Sequence, residues 1–157
     1  MAAPVFTVRR ADANDLPRIL ELMPRLADFE VPQRRNPDHL WQGDAKLVEQ
    51  TIASDNGKTR TLVAVDTNDS IEGVAVYTLK PELLSAEPSA HLEVLLVTPA
   101  AEGTGLAGEL IKQAESAARQ QGALSMTLHV FGNNSRARRL YQKAGFDEEL
   151  LRCSKLL

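Results

Sequence analysis

The strongest constraint on the fold comes from one strand–turn–helix–strand pattern in the second half of the chain. Residues 92–97 (LEVLLV) form the most apolar short run and predict a central strand buried on both faces. A turn with two glycines follows, and apolar residues then recur at helical spacing up to Gly122, which predicts a helix over 105–121. Alternating apolar residues predict a second strand over 123–130. This order indicates a βαβ crossover, which is normally parallel and right-handed.

The other predicted strands are joined by short connections and should pair mostly antiparallel. Residues 6–10 alternate as a strand does. A turn-forming cluster separates residues 61–65 from residues 71–79, so these two segments predict a hairpin. Residues 80–89 contain two prolines and predict an irregular connection, and residues 146–157 predict a final strand.

Helical spacing also occurs in the first third of the chain. Residues 16–26 predict a helix with a kink or break at Pro24. A second helical piece should start near Pro37, and Gly43 with Asp44 should interrupt it, so that Asp44 caps a further stretch. Together the elements predict an α/β fold: a mixed, mostly antiparallel central sheet with a βαβ crossover and helices on both faces.

Composition restricts the class of protein. The 157 residues are 43% hydrophobic and 25% charged, which is typical of one globular domain, predicted here over residues 1–157. No apolar run approaches the roughly 18 residues of a membrane span, and the first residues lack a secretory leader, so we expect a cytoplasmic protein. A single cysteine, Cys153, and no histidine pair at ligand spacing predict no metal site. The net charge of −3 argues against nucleic-acid and anionic-membrane partners.

The turn after the apolar run is suited to binding phosphate. Its glycines allow close approach of a ligand, and the N–H groups at the start of the following helix carry partial positive charge. Residues 103–108 (GTGLAG) also match the G-x-G-x-x-G dinucleotide fingerprint. That interpretation is disfavoured, because residues 123–134 lack the acidic residue that the fingerprint expects and because the turn over residues 98–103 is long. A glycine that serves only strand–helix packing remains an alternative.

Two segments of the sequence resemble motifs of the GNAT superfamily of N-acetyltransferases. Residues 102–107 (EGTGLA) resemble its Q/R-x-x-G-x-G/A acetyl-CoA loop. Residues 134–146 (NSRARRLYQKAGF) are similar to the GNAT pattern N-x-x-A-x-x-L-Y-x-K-x-G-F at every fixed position. One helix and one strand separate the two segments, as in the family, and residues 8–19 resemble a GNAT opening. The resemblance implies a GNAT-like fold, acetyl-CoA as the cosubstrate and a homodimer.

The resemblance also implies how acetyl-CoA is held. In the family the central strand diverges from its parallel neighbour, and the pantetheine arm lies in the gap against strand backbone. The residues implied here are Leu95, Val97, Glu102, Gly103, Thr104, Gly105, Leu106, Ala107, Asn134 and Tyr141. Glu102 departs from the usual Gln or Arg, and a carboxylate beside a pyrophosphate is unfavourable. We therefore expect its side chain to point to solvent while its backbone N–H binds.

Direct acetyl transfer to an amine requires a base for the amine, a donor for the oxyanion and an acid for the leaving thiolate. The resemblance implies Tyr141 as the acid, and the alternative is a core tyrosine. Glu93 is the candidate base, because a carboxylate in so apolar a strand is expensive unless it is solvated, paired or functional. The alternative is an edge or bulge carboxylate paired with Arg or His91. His91 and His129 are weaker candidates, and a backbone N–H near Val97 can serve the oxyanion.

These patterns predict an acetyl-CoA-dependent N-acetyltransferase that acts on a small-molecule amine, with a peptide or protein amine as a further option. The alternative is a non-catalytic module that binds acetyl-CoA. Residues 29–35, with Asp28 and Glu30, occupy the position of a GNAT acceptor loop. A basic cluster on the last predicted helix, capped by Asn133 or Asn134, is expected to be mostly a solvated face, and the alternatives are a contact for the 3'-phosphate of coenzyme A or for a nucleic acid. Its members are Arg136, Arg138, Arg139 and Lys143.

Overall fold

The computed structural model describes residues 2–157. Five strands within this range form one sheet. The strands lie side by side in chain order, and each neighbouring pair is antiparallel except the last, which is parallel. The strands are β1 (Thr7–Arg10), β2 (Thr59–Val65), β3 (Ile71–Pro81), β4 (Pro88–Val97) and β5 (Ser125–Leu128). The predicted hairpin and the predicted parallel crossover are both confirmed.

Four α-helices and three short 3₁₀ helices complete the described chain. The α-helices are α1 (Leu16–Leu22), α2 (Gln42–Ala53), α3 (Leu106–Gln120) and α4 (Ser135–Lys143). The 3₁₀ helices cover Met23–Ala27, Pro37–Leu40 and Pro99–Ala101. The predicted break at Pro24 is confirmed, because α1 ends at Leu22 and the chain tightens into the first 3₁₀ helix. Within residues 2–157, no helix combines the length and the apolar character that crossing a bilayer requires.

Helices cover both faces of the sheet, so there are two cores. On one face α1 and α2 pack on alternate strand residues, in a cluster that contains Ile19, Met23, Val48, Val63, Val74, Val76, Val94 and Leu96. On the other face α3 packs on the intervening residues, in a cluster that contains Leu62, Ala75, Tyr77, Ala90, Leu92, Leu106, Leu110 and Ala114. The predicted fold class, a mixed and mostly antiparallel sheet with helices on both faces, is therefore correct.

An extra residue in β4 reverses the faces of that strand. Val94 pairs with Val76 and Leu92 pairs with Tyr77, so Glu93 has no partner of its own on β3. A regular pleat would put Leu92 and Val94 on one face. Instead Leu92 joins the α3 core and Val94 joins the α1–α2 core, because a β-bulge at Glu93 shifts the alternation by one residue.

β4 and β5 pair along only part of their length. The parallel register runs from Ser89 opposite Ser125 to Leu92 opposite Leu128, and β4 continues to Val97 beyond it. β5 ends at Leu128 while α3 and α4 both follow from this end of the sheet. A gap therefore opens between β4 and the chain that leaves β5.

Two local predictions about connections need correction. The irregular connection predicted over residues 80–89 is confirmed only for residues 82–87, because β3 runs to Pro81, β4 begins at Pro88 and these two prolines pair. These prolines sit at strand ends, where a missing N–H is tolerated. Gly43 and Asp44 do not interrupt a helix, since α2 begins at Gln42 and runs through both. Gly43 is the second residue of α2, and glycine weakens a helix chiefly through the conformational entropy that it loses in the helix interior.

The predicted final strand is also wrong. Within the described chain, no strand follows α4, and Gly145 with φ of +96° ends that helix. Residues 147–157 run as exposed irregular chain, and Cys153, expected on the last strand, is an exposed free thiol. This segment is anchored by side chains instead, since Arg138 donates to both carboxylate oxygens of Glu148 at 2.6 and 2.8 Å.

Candidate functional site

A cleft of about 670 Å³ opens where β4 and β5 separate. Two of its walls are the end of β4 that does not pair with β5, and the 98–105 loop with the start of α3. The other two are the loop after β5 with α4, and the first 3₁₀ helix with Phe29. These elements converge because βα loops of neighbouring parallel strands leave the same edge of a sheet. The two motif segments of the sequence therefore meet on opposite sides of one opening.

The glycine turn forms one wall of this cleft. Gly103 and Gly105 have φ of +73° and +85°, and Gly105 is the residue immediately before α3. A Cβ at either position would meet no atom within 4 Å, so the space beside the loop is open. The first intrahelical bond runs from Glu109 N to Gly105 O at 3.1 Å. The N–H groups of Ala107 and Gly108 therefore precede the helical ladder, which is the arrangement that binds phosphate.

The backbone of β4 forms the floor of the gap. Thr98 N donates to Glu72 O at 2.9 Å, so the polar groups of Thr98 point toward β3. Because these groups alternate sides along a strand, the N–H and C=O of Val97 and Leu95 point away from β3, into the gap. They lie beyond the last residue of β4 that pairs with β5, and the Leu95 and Val97 side chains are half-buried. Val97 O accepts from Arg25 Nε at 2.8 Å, so the N–H of Val97 and both backbone groups of Leu95 are the ones left to an extended, amide-containing ligand such as pantetheine.

Tyr141 and Asn134 lie on the opposite wall. Asn134 caps α4, and its side-chain oxygen accepts from Ala137 N at 3.3 Å. Tyr141 lines the cleft two turns later, and its ring meets Phe146 edge-on with centroids 6.0 Å apart. Burial raises the pKa of the Tyr141 phenol, so the hydroxyl keeps its proton at neutral pH and can donate it. Tyr141 therefore combines a partly buried core position with exposure to the cleft.

Glu93 projects from the bulge among polar neighbours. Its Oε1 lies 3.3 Å from Lys80 Nζ and its Oε2 lies 4.0 Å from His91 Nε2. The other nitrogen of His91, Nδ1, is 2.8 Å from Thr127 Oγ1. Burial, with a smaller effect from Lys80, lowers the pKa of His91 to about 4, so this ring is neutral at pH 7. His129 lies against it with ring centroids 4.7 Å apart and also lines the cleft.

Asp44 is a cleft residue that the sequence interpretation missed. It lies in the first turn of α2 and lines the same cleft as Glu93. Burial, together with the negative charge of Glu93, raises the pKa of Asp44 to about 6. An aspartate near a helix start has the sequence signature of a cap, so only the folded position of α2 reveals that it faces β4.

Glu102 does not point freely to solvent, as we expected from the sequence. Its Oε1 accepts from Arg25 Nη2 at 2.7 Å and lies 3.2 Å from Arg136 Nη1. Arg136 and then Arg25 lower the pKa of Glu102, which stays ionised. Arg25 also donates from Nε to Val97 O at 2.8 Å. Arg25 is a second residue that the sequence interpretation missed, because Val97 and Glu102, its two partners at the glycine turn, lie more than 70 positions along the chain.

The cleft is bridged on its α1–α2 side. The rings of Phe29 and Phe131 lie 5.5 Å apart, and Asn133 Nδ2 donates to Glu30 O at 2.6 Å. The segment predicted as an acceptor loop thus reaches the cleft through Asp28 and Phe29, while Arg34 and Arg35 are exposed. Thr104 is also outside the cleft lining, because its hydroxyl donates to Ala101 O at 2.6 Å.

Comparisons with known proteins agree with this fold. Residues 19–146 match the Acetyltransferase (GNAT) family. The chain is 27% identical over 144 residues to the uncharacterized N-acetyltransferase YhfO of Bacillus subtilis (strain 168), which covers 92% of this chain and 91% of that protein. A putative acetyl transferase from Pyrococcus furiosus superposes with a TM-score of 0.78 at 18% identity, over 98% of this chain and 100% of that one. The aminoglycoside antibiotic 6'-N-acetyltransferase AAC(6')-Ih from Acinetobacter baumannii superposes with a TM-score of 0.74 at 18% identity, over 98% and 99%.

The sheet, the diverging strands and the glycine turn define an acetyltransferase fold of the GNAT type. The chain belongs to the GNAT acetyltransferase family, since the match covers most of its length. The family uses acetyl-CoA.

Proposed function

We propose that this protein is an acetyl-CoA-dependent N-acetyltransferase that acts on a small-molecule amine. The observation that carries the proposal is the convergence of three features in one cleft: β4 backbone at Leu95 and the N–H of Val97 beyond the pairing with β5, the glycine turn before α3, and the polar side chains of Glu93 and Tyr141. The related solved structure that acts on an aminoglycoside supports an amine of small size. The homodimer and the cytoplasmic location implied by the resemblance stay predictions.

The residues proposed to hold acetyl-CoA divide into two groups. The N–H groups of Ala107 and Gly108 in the first turn of α3, with Leu106 beside them, and the 102–105 loop would face the phosphates. Leu95 and Val97 would pair with the pantetheine amides, with Asn134 on the other wall. Acetyl-CoA supplies an acetyl group activated as a thioester, which only a neutral amine attacks.

Residues of the protein are proposed to accept the proton of the amine, to stabilise the charge on the carbonyl oxygen and to protonate the leaving group. The carboxylate of Glu93 is the proposed proton acceptor for the ammonium form of the acceptor, directly or through water. Asp44, with its pKa near 6, is ionised at pH 7 and adds negative charge that attracts a cationic amine to the same end of the cleft. Val97 N–H can donate to a carbonyl oxygen in the gap, and Tyr141 O–H is the proposed proton donor to the thiolate that leaves.

The test has two stages. Isothermal titration with acetyl-CoA should give a Kd of about micromolar, whereas NAD, which the G-x-G-x-x-G match also suggests, should not bind. A panel of amines is then screened by the loss of thioester absorbance. A thiol reagent would also react with the exposed Cys153, so thioester absorbance is the cleaner signal.

Glu93→Gln distinguishes the enzyme from a binding module. We expect kcat to fall about 100-fold while the Kd of acetyl-CoA stays constant, because the variant keeps the bulge and loses the base. The Lys80 contact at 3.3 Å favours the alternative, since a carboxylate held by an ammonium group is less free to contact an acceptor amine. Binding of acetyl-CoA without turnover of any amine would support that non-catalytic module, and no binding would contradict both.

A further inference from the structure

Three charged side chains close the mouth of the cleft. Glu102 lies between Arg25 and Arg136, and both guanidinium groups approach the same carboxylate oxygen, at 2.7 and 3.2 Å. Glu102 belongs to the loop that follows β4, while Arg136 belongs to the first turn of α4, which follows β5. The contact between Glu102 and Arg136 therefore spans the gap at the point where the two strands have separated. All three residues line the cleft.

The two arginines are held to different degrees. Arg25 uses three of its nitrogens, on Val97 O at 2.8 Å, on Asp28 at 3.0 Å and on Glu102 at 2.7 Å. Its side chain is 21% exposed, whereas that of Arg136 is 69% exposed and approaches Glu102 alone among the described ion pairs. An exposed single ion pair is weak, so Arg136 is the partner that can leave.

The charges around Glu102 permit an exchange when an anion enters. Arg25 is shared between Asp28 and Glu102, so Arg25 and Arg136 together balance these two carboxylates. If Arg136 turns to an incoming phosphate, Arg25 keeps its contact with Glu102 at 2.7 Å, and the positive charge of Arg136 then faces the anion. The guanidinium fork matches two phosphate oxygens better than it matches the one carboxylate oxygen that it shares with Arg25.

We propose that Arg136 binds the diphosphate of coenzyme A and that it does so by exchanging Glu102 for phosphate oxygens, while Arg25 keeps Glu102. This inference rests on the proposed function. Arg136 thereby takes the place of the basic or amide side chain that the loop itself lacks at residue 102. Glu102 then binds Arg136 in the free protein and competes with the phosphate oxygens for it, rather than binding coenzyme A itself.

The test measures binding of coenzyme A and of 3'-dephospho-coenzyme A by isothermal titration. Arg136→Gln should weaken both ligands about tenfold, because both carry the diphosphate. Arg139→Gln is the matched control, since Arg139 is an exposed arginine on the same helix, and it should change either Kd less than about twofold. Equal affinities for the wild type and Arg136→Gln would overturn the inference, as would a loss confined to the ligand with the 3'-phosphate.

A double-mutant cycle tests the exchange itself. Glu102→Gln should tighten coenzyme A about threefold, because the competitor for Arg136 is gone, and the gain should disappear in Glu102→Gln/Arg136→Gln. Weaker binding by Glu102→Gln would overturn the exchange. Absence of coenzyme A binding by the wild type would instead contradict the proposed function, so the two failures are distinct.

Discussion

The sheet has two ends that use their backbone differently. From β1 to β4 the strands pair continuously, and β3 with β4 remains in register from Gly73–Val97 to Pro81–Pro88 apart from one bulge. Between β4 and β5 pairing covers four residue positions and then stops. At the first end, the backbone hydrogen-bonding groups of each strand pair with the neighbouring strands and stabilise the sheet. The second end leaves the backbone groups of Leu95 and the N–H of Val97 without a strand partner, while the Val97 carbonyl accepts from Arg25.

Charged groups follow the same division. At the paired end Arg9 holds Asp15 through two hydrogen bonds of 2.7 and 2.9 Å, and this contact joins β1 to the start of α1. At the open end Asp44 is partly buried beside another carboxylate, and its pKa is raised to about 6. A side chain kept at an energetic cost beside an open cleft indicates a functional use, whereas a well-paired one indicates a structural use.

The largest expected effect comes from removing a hydroxyl at the open end. Tyr141→Phe should lower kcat about 100-fold, because the leaving thiolate loses its proton donor, and should leave the Kd of acetyl-CoA and the melting temperature unchanged. Tyr77→Phe is the matched variant at the paired end, where the buried hydroxyl donates to Gln121 at 2.6 Å. It should cost about 1 kcal/mol of unfolding free energy and leave kcat unchanged. Unchanged turnover in Tyr141→Phe would remove this tyrosine from the acid role.

The next largest effect is on stability at the paired end. Asp15→Asn should lower the unfolding free energy by about 2 kcal/mol, because the buried carboxylate then no longer balances Arg9. The hydrogen bond from Arg9 lowers the pKa of Asp15. Its contribution is therefore present above the unfolded pKa of about 3.9 and is lost as pH falls through the lower folded pKa.

Urea unfolding of the wild type and Asp15→Asn at pH 7 and pH 2.5 measures this contribution. The difference between the two proteins should shrink at the lower pH, and the Kd of acetyl-CoA at pH 7 should be the same for both. A difference that does not depend on pH would contradict the ion-pair explanation.

The smallest effect should have the opposite sign. Asp44→Asn should raise the unfolding free energy at pH 7.5 by about 1 kcal/mol after allowance for solvent screening, because a partly buried charge is removed. A raised carboxyl pKa means that the folded protein holds the proton more tightly. Stability from this group is therefore full below about pH 4 and is lost as pH rises through about 6.

Melting temperatures at pH 4.5 and pH 7.5 test this sign. Asp44→Asn should gain more over the wild type at pH 7.5 than at pH 4.5. Glu49→Gln, which changes an exposed carboxylate on the same helix, should show no such pH dependence. A loss of stability in Asp44→Asn at pH 7.5 would mean that the carboxylate is paired after all.

The features predicted correctly from the sequence are those with local signals. An apolar run, two glycines, a helical period and Gly122 lie within about 30 positions, and the crossover follows from them. The 134–146 motif likewise indicated α4. The bulge at Glu93 was hidden because the run from Leu92 to Val97 is apolar at alternate and at intervening positions, so no break in alternation marks the extra residue.

The features that the sequence did not predict depend on distant contacts. Arg25 and Glu102 are 77 positions apart. No sequence periodicity indicates that the first 3₁₀ helix contacts the glycine turn before α3. The hairpin across residues 80–89 was missed because a proline is read as a breaker, yet each of these prolines stands where β3 or β4 ends. Residues 146–157 resembled a strand in composition, but they pack on α4 through Glu148 rather than on β5.

The β-bulge at Glu93 allows the Glu93 carboxylate to be gained or lost in evolution by a change of one residue in chain length. Because two residues of β4 stand opposite one of β3, a chain without residue 93 would still match Leu92 with Tyr77 and Val94 with Val76. Both cores would keep their side chains on their present faces. A single-codon insertion or deletion therefore adds or removes an acidic group beside the cleft without repacking the interior, whereas the same change elsewhere in β4 would exchange interior and cleft-facing residues.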